Sequence, residues 1–186
     1  MSFTRKLYLA DTHFGHVNIV NLCNRPFSSV GEMDDYMVRQ WNEALAPSDL
    51  VYHLGDFAYR ADPERIRAIF GRLNGRKKLI LGNHDLDKKG RPLKWLLDLA
   101  WDGEPTPMIE TNDNGELVVL CHYPLRSWRG SARGSWHFYG HCHGNTPGIG
   151  RSRDVGVDVS DVAFTPRTFQ ELSAPIRAAE QKEAAR

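Results

Sequence analysis

Residues 79–85, which read Leu-Ile-Leu-Gly-Asn-His-Asp, decide the fold because a short apolar run there passes directly into polar side chains. An apolar run of this length that stops at a glycine is typical of a buried strand. The residues after it place an amide, an imidazole and a carboxylate at the end of that strand. In open α/β sheets, ligands bind outside the carboxyl ends of the strands. The stretch therefore predicts an α/β protein with a ligand site at this position.

The same arrangement recurs at four other places, where apolar runs ending at residues 10, 54, 121 and 140 pass into polar residues. If the strands are neighbours, the side chains that follow them converge at one edge of the sheet. His16 and Asp85 lie beside this set in sequence. The set itself comprises Asp11, His13, Asp56, Asn83, His84, His122, His141 and His143. Five consecutive strand ends with such residues predict a functional site rather than five unrelated accidents.

Amphipathic patterns between the apolar runs predict helices. Four segments have this pattern or are rich in helix formers: 33–45, 63–73, 93–100 and about 168–186. Four later strands come without long helices between them: 107–110, 117–121, 136–140 and 155–159. Those strands should pair partly antiparallel. The patterns together favour an α/β fold with a mixed sheet or two stacked sheets, flanked by helices.

Length and composition limit the class of protein. The 186 residues favour a single domain over 1–186, and the net charge of +1 does not favour a general nucleic-acid binder. No apolar run approaches the ~20 residues of a membrane helix, and the first residues lack a signal-peptide pattern. The three cysteines, Cys23, Cys121 and Cys142, show no paired spacing. We therefore expect free thiols, no membrane partner and a cytoplasmic location.

The donor set suits divalent metal ions. Alternation along an extended chain puts Asp11 and His13 on one side, and His141 and His143 likewise. A carboxylate such as Asp56 has two oxygens and can bridge two ions. The eight nitrogen and oxygen donors exceed the needs of one ion and suit two ions with open positions.

The order Asp-x-His, Gly-Asp, Gly-Asn-His-Asp, His and Gly-His-x-His resembles that of the calcineurin-like metallophosphoesterases. The blocks run in the family order from Asp11 to His143, and the opening Asp-x-His-x-x-His is the version of its short members. The resemblance implies two stacked mixed sheets flanked by helices, a four-layer α/β/β/α sandwich. It also implies a hydrolase whose dinuclear centre activates a bridging hydroxide for in-line attack on a phosphoester.

The resemblance further implies a role for each matched residue. One ion would be held by Asp11, His13, Asp56 and His143, and the second by Asp56, Asn83, His122 and His141. His84 would contact the phosphate or protonate the leaving group, Asp85 would orient His84, and Asn83 would also contact the substrate. Manganese is favoured, while iron, nickel, zinc and magnesium suit the same ligands.

The segment from Arg126 to Arg153 contains five arginines and no acidic residue. It is expected to overhang the site as a substrate-capture loop, with Arg126 and Arg129 on phosphate oxygens, or else to be a solvated basic loop. His16 is expected to contact the substrate or to cap the chain locally. A chain this short leaves no room for a cap domain, which favours a small-molecule or nucleotide-like phosphodiester over a phosphomonoester.

Three alternatives stay open. A nuclease or nucleic-acid end phosphatase would use the arginine-rich segment on a nucleic-acid backbone, although nucleic acid is not favoured. A non-catalytic metal-binding scaffold could keep the same fold. A structural zinc site could combine Cys121 and Cys142 with the neighbouring histidines, but alternation points Cys142 away from His141 and His143. The oligomeric state is not indicated.

Overall fold

The computed structural model describes residues 4–186, and their strands form two four-stranded mixed sheets. In the first sheet, β1 (Lys6–Leu9) is parallel to β2 (Leu50–His53), which is parallel to β3 (Arg76–Leu79). The last strand of the chain, β8 (Arg167–Thr168), pairs antiparallel with β1. Residues 1–3, which begin the segment without a signal-peptide pattern, lie outside the described part.

The second sheet has the order β4-β5-β6-β7. Its first two strands, β4 (Met108–Asp113) and β5 (Glu116–Cys121), form an antiparallel hairpin. The strands β6 (Trp136–Tyr139) and β7 (Ser152–Asp154) continue the sheet in parallel. The predicted α/β class with two stacked mixed sheets is confirmed.

The five α-helices of the described residues lie in the connections and at the end of the chain. They are α1 (Ile19–Leu22), α2 (Val30–Ala44), α3 (Pro63–Arg72), α4 (Lys94–Leu97) and α5 (Phe169–Ala184). The side chains of Ser29, Asp62 and Thr168 cap three of them by accepting backbone N–H bonds. No helix of residues 4–186 combines the length and apolar character needed to cross a bilayer.

Aromatic side chains fill the space between the two sheets. The Tyr8 ring of β1 stacks on Tyr52 of β2 at 5.6 Å and meets the edge of Phe138 of β6 at 5.1 Å. A bridge between Ala10 and Gly156 also links the sheets just beyond β1. The strand ends of both sheets are thereby fixed side by side, which is what positions the site.

Three element boundaries differ from the predictions. The strand expected at 79–81 is instead Arg76–Leu79. It includes the charged Lys77 because the Lys77 ammonium lies over the Phe70 ring, 4.7 Å from the centroid, and donates to the carbonyls of Leu73 and Gly75. The strand expected at 155–159 is instead β7 followed by a crossing segment, since residue 156 already pairs with the first sheet. The helix expected at 93–100 is only the short α4. The short α1 and β8 lack the periodic pattern that would have predicted them.

Candidate metal centre and active site

The strand ends bring the predicted ligands together. Asp11 and His13 follow β1, Asp56 follows β2, His122 follows β5, and residues 141–143 follow β6. The described residues contain four groups of side chains whose ligand atoms lie within 4.8 Å of one another, and three of them consist of predicted site residues: Asp11, His13 and His143; His13, Asp56 and His84; and Asp56, His122 and His141. Since the groups share members, they form one continuous cluster.

Asp56 lies at the centre of this cluster. Its Oδ2 is 3.6 Å from Nε2 of His13, and its Oδ1 is 3.6 Å from Nε2 of His122. Burial, with the nearby charge of Asp85, raises the pKa of Asp56 to about 7. A buried carboxylate with a raised pKa is stabilised as the anion by a cation next to it. This carboxylate therefore fits the role of a metal ligand.

The histidines offer free nitrogen lone pairs to the same space. Both ring nitrogens of His13 are buried and have no hydrogen-bond partner among the described residues. Buried polar atoms are rarely left unpaired in native proteins, so this ring fits a metal ligand. His122 donates from Nδ1 to the carbonyl of Leu54 at 2.7 Å, an assignment of the tautomer that leaves Nε2 facing Asp56 as an acceptor.

The predicted ligands share an uncommon backbone conformation. Asp11, His13, Asp56, His141 and His143 all have positive φ angles, between 48° and 68°. This left-handed region costs a side-chain-bearing residue about 1 kcal/mol or more, and such costs cluster at functional sites. The turns at the strand ends therefore adopt a strained backbone conformation that places these five side chains in the cluster.

Asp85 holds two of these turns together. Its carboxylate accepts N–H bonds from Gly82 and Asp56 at 2.8 Å and from Phe57 at 3.1 Å. A Cβ atom at Gly82 would lie 2.3 Å from Oδ1 of Asp56, so only glycine permits this close approach. Sequence reasoning expected Asp85 to orient the His84 ring, but among the described residues its hydrogen bonds go to these backbone groups instead.

A buried ion pair supports His143 and was missed by the sequence analysis. Nδ1 of His143 lies 2.7 Å from the Asp158 carboxylate. Arg25 donates two hydrogen bonds to the same carboxylate, at 2.8 and 2.9 Å. Arg25 also donates to the backbone carbonyls of Asp11 and Thr12. Although burial acts in the opposite direction, the bonds to Asp158 and Cys23 raise the pKa of His143 to about 10. A carboxylate behind a ligand histidine is the usual support for a metal ligand.

His84 and His16 line a cavity beside the cluster. The His84 ring lies 4.0 Å from the Tyr59 ring, and its Nε2 is 3.9 Å from Oδ2 of Asp56. The His16 ring lies 4.8 Å from Tyr59 and 5.6 Å from His13. Burial lowers the pKa of both His16 and His84. The cavity of about 440 Å³ opens from these rings to solvent, which gives a substrate access to the cluster.

Comparison with known proteins agrees with this geometry. The model of the calcineurin-like phosphoesterases matches residues 4–158. The chain belongs to the calcineurin-like phosphoesterase family. It is 38% identical over 169 residues to an uncharacterized protein of Methanocaldococcus jannaschii, covering 87% of this chain and 86% of the relative. It is 32% identical over 158 residues to the gene 66 protein of Mycobacterium phage L5, covering 73% and 76%.

A solved structure supports the fold. A protein of unknown function from Aquifex aeolicus superposes with a TM-score of 0.72 at 25% identity, covering 94% of this chain and all of the other. Family membership makes this phosphoesterase a hydrolase of phosphoric ester bonds that works with divalent metal ions. The Asp and His groups described above are its candidate ligands.

The arginine-rich segment of this phosphoesterase is largely engaged elsewhere. Arg129 pairs with Glu110 of β4, and it lines a cavity at the start of β5 together with Glu116, whereas His122 follows the end of that strand. Arg151 pairs with Glu180 and Arg153 with Asp161. Arg126 lines a separate cavity with Pro124 and Ile149. Neither Arg126 nor Arg129 lines the cavity beside the metal cluster, and their substrate contact stays a prediction.

The cysteines do not build the alternative zinc site. In the described residues all three are free thiols, and no metal-capable group contains Cys121 or Cys142. Cys23 instead lies 3.4 Å from Nδ1 of His143, in a group with Asp158. No sequence signal near Cys23 pointed to this position.

Proposed function

We propose that this phosphoesterase hydrolyses phosphodiesters, in preference to phosphomonoesters, at a centre of two divalent metal ions. The observation that carries the proposal is the position of Asp56, whose two oxygens each lie 3.6 Å from a different histidine. One carboxylate thereby belongs to two separate ligand groups. This is the arrangement that a pair of bridged ions requires.

The residues at hand fit both ions. Asp11, His13, Asp56 and His143 would hold the first, and Asp56, Asn83, His122 and His141 the second. Asn83 supports this division, because its Oδ1 lies 3.1 Å from Nε2 of His122. When bound, two such ions supply a hydroxide nucleophile near neutral pH and neutralise the charge of the phosphoryl oxygens. The neutral and anionic ligands suit manganese, and also iron, nickel, zinc and magnesium.

His84 is proposed as the proton donor to the departing oxygen. Its side chain is partly exposed, at 32%, and faces the cavity rather than the core. Burial, with the neighbouring His141 and His143, lowers the pKa of His84, so its protonated ring is a stronger acid than free imidazolium. Proton donation by a positioned group contributes typically 10²–10⁴-fold to the rate.

The distribution of charge supports a diester over a monoester. A phosphodiester carries one negative charge at the reacting phosphorus, whereas a monoester dianion needs an additional clamp. Three of the five arginines of the segment from Arg126 to Arg153 are already paired with acidic side chains of this chain. The same pairing disfavours a nuclease that would need that segment for a nucleic-acid backbone. The free thiols agree with a reducing compartment such as the cytoplasm.

The test compares two substrates on the manganese-loaded protein. We expect faster initial rates with bis(p-nitrophenyl) phosphate than with p-nitrophenyl phosphate. Faster cleavage of the monoester would overturn the diester preference and identify a phosphatase. Absence of turnover of either, with metal bound, would favour the non-catalytic scaffold.

The variant Asp56→Asn tests the dinuclear centre. Because it removes the charge shared by both ligand groups, we expect loss of turnover together with one or both ions, measured by elemental analysis. Asp87→Asn is the matched control, since within residues 4–186 the Asp87 carboxylate accepts hydrogen bonds from Arg91 and from the backbone of its own loop and from no group of the cluster. Full activity and normal metal content in Asp56→Asn would contradict the proposal.

A further inference from the structure

The cavity beside the metal cluster has a wall that the proposed chemistry does not use. Three of its lining residues, His13, His84 and His143, belong to the cluster or its edge. That wall is formed by five other lining residues: His16, Ile19, Leu22, Tyr59 and Arg60. A substrate whose phosphorus lies at the cluster must place one of its substituents against that wall.

This wall is a built surface. A bridge between Phe14 and Ala58 pairs the turn after β1 with the turn after β2. Gly15 presses against Ala61, where an added Cβ atom would lie 2.4 Å from that side chain, and its N–H is held by Asp34. Gly15 has a φ of 74°, a conformation suited to glycine. The loop that carries Tyr59 and Arg60 is therefore fixed in place against the metal-binding turns.

Arg60 is a charged group without a described partner. Within residues 4–186 it makes no ion pair or side-chain hydrogen bond, and the residues lining the cavity include no acidic side chain. Its guanidinium instead lies over the Tyr59 ring, 5.1 Å from the centroid. The backbone of Arg60 has a φ of 49°, an uncommon conformation for a residue with a side chain. Such conformations cluster at functional sites.

The geometry relates Arg60 to the reacting group. The Tyr59 ring contacts both the Arg60 guanidinium and the His84 ring. An anion bound to Arg60 would thus be separated from a phosphoryl group at His84 by about the width of the Tyr59 ring. The apolar part of the wall is supplied by Ile19 and by Leu22, whose exposure of 71% is large for a leucine.

We propose that this cavity receives the leaving group of the substrate and that Arg60 selects a leaving group bearing a second anion, a carboxylate or phosphate, on an apolar or planar frame. The inference rests on the proposed function for the position of the phosphoryl group. Arginine suits this role because its fork donates two hydrogen bonds to a planar or tetrahedral anion. Tyr59 positions the guanidinium and offers a flat contact for the frame.

The test uses two non-hydrolysable ligands, 4-phosphonobutyrate and pentylphosphonate, whose chains have the same length when non-hydrogen atoms are counted outward from phosphorus. Their binding to the manganese-loaded protein is measured by calorimetry, so turnover is not needed. A charge-assisted hydrogen bond to the carboxylate should make 4-phosphonobutyrate bind about tenfold tighter. Arg60→Gln should reduce this ratio to about twofold or less, and Arg60→Lys should retain part of it.

The matched control is Arg39→Gln. Arg39 also lies over a tyrosine ring, that of Tyr36 at 5.6 Å, but it lines a different cavity. This variant should keep the tenfold ratio. An unchanged ratio in Arg60→Gln, equal binding of the two ligands by the unmodified protein, or no binding of either would overturn the proposal. If the unmodified protein hydrolyses diesters but Arg60→Gln leaves the ratio unchanged, the leaving-group site alone is rejected. If Arg60→Gln reduces the ratio as expected but the unmodified protein hydrolyses no diester, the proposed function alone is rejected.

Discussion

At the scale of single residues, the position of His84 is compatible with two roles, that of a metal ligand and that of a proton donor. Its Nε2 is 3.9 Å from Asp56, close enough for a metal group, yet its ring also packs on Tyr59 at the cavity. If His84 is a metal ligand, metal binding requires its side chain. If His84 is a proton donor, only the chemical step requires it. A substitution that removes the ring nitrogen therefore distinguishes the two.

His84→Asn is expected to keep both ions and to slow turnover by about 10²–10⁴-fold when the leaving group is an alkoxide. The loss should be much smaller with bis(p-nitrophenyl) phosphate, because p-nitrophenolate departs without a proton. The measurement compares kcat for that ester and for the dinucleotide thymidylyl-thymidine, with metal content determined in parallel. Loss of an ion from the variant would show that His84 is a ligand.

Asp85 is a second residue whose role can be tested alone. Asp85→Asn places an amide N–H₂ against backbone N–H groups that now donate to a carboxylate. We expect a loss of about 1–3 kcal/mol in the free energy of unfolding and a 10–100-fold weaker metal affinity. Urea denaturation and metal titration check both values, with Asp87→Asn as the exposed control. An unaltered metal affinity would remove Asp85 from the support of the site.

At the scale of elements, an ionic contact connects the segment before β1 with the segment before β2. The carboxylate of Asp49, just before β2, accepts bonds from the backbone N–H and guanidinium of Arg5 and from the N–H of Ala46. Although burial opposes the shift, the bonds from Arg5 and Ala46 hold the pKa of Asp49 below its usual range. This contact aligns β1 with β2, whose far ends carry the ligands.

Asp49→Asn should lower the free energy of unfolding by about 1–3 kcal/mol near neutral pH. A lowered folded-state pKa gives stability above the unfolded-state pKa of about 3.9, and this stability is lost as the pH falls through the folded-state value. The difference between the two proteins should therefore shrink below about pH 4. Asp35→Asn, which breaks the exposed pair with Arg72, should cost about 1 kcal/mol or less. A difference independent of pH would contradict the ionic explanation.

At the scale of the whole molecule, the metal cluster joins the two sheets. Asp11 and Asp56 come from the first sheet, while His122 and His143 come from the second. Without a cation, buried carboxylates and unpaired imidazoles face one another there, and burial raises the pKa of Asp11 well above its usual value. Metal binding should therefore stabilise the fold as a whole.

Each manganese ion, at about 100 times its dissociation constant, should stabilise the protein by about 2.7 kcal/mol relative to the chelated form. For a chain of this length that raises the melting temperature by about 5–10 °C. Differential scanning calorimetry with manganese or with EDTA measures the shift, and Asp56→Asn should show little of it. If the unmodified protein melts at the same temperature with manganese and with EDTA, a metal ion does not link the two sheets.

The sequence by itself predicted the candidate ligands that the structure brings together and most of the strands that carry them. The apolar runs at β1, β2 and β6 are strands whose residues are almost all buried, and the polar residues after them lie at strand ends. His122 and His143 join the cluster through the stacking of the second sheet. Within the first sheet, neighbouring strand ends meet at one edge, so a local pattern sufficed to predict that Asp11 and Asp56 lie together. These are properties of short segments, which the periodicity of the sequence records directly.

The tertiary structure alone decided the supports and the neighbours of the cluster. Arg25 and Asp158 are 133 residues apart, and no local pattern shows that they form a buried pair behind His143. From the sequence, Arg129 was predicted to contact phosphate. In the fold, the packing of β4 against the loop after β5 instead places it beside Glu110, with which it forms an ion pair. Arg60, in contrast, lines the cavity and has no ion-pair partner among residues 4–186. Long-range packing sets these charge pairings, because which opposite charge comes near depends on the whole fold.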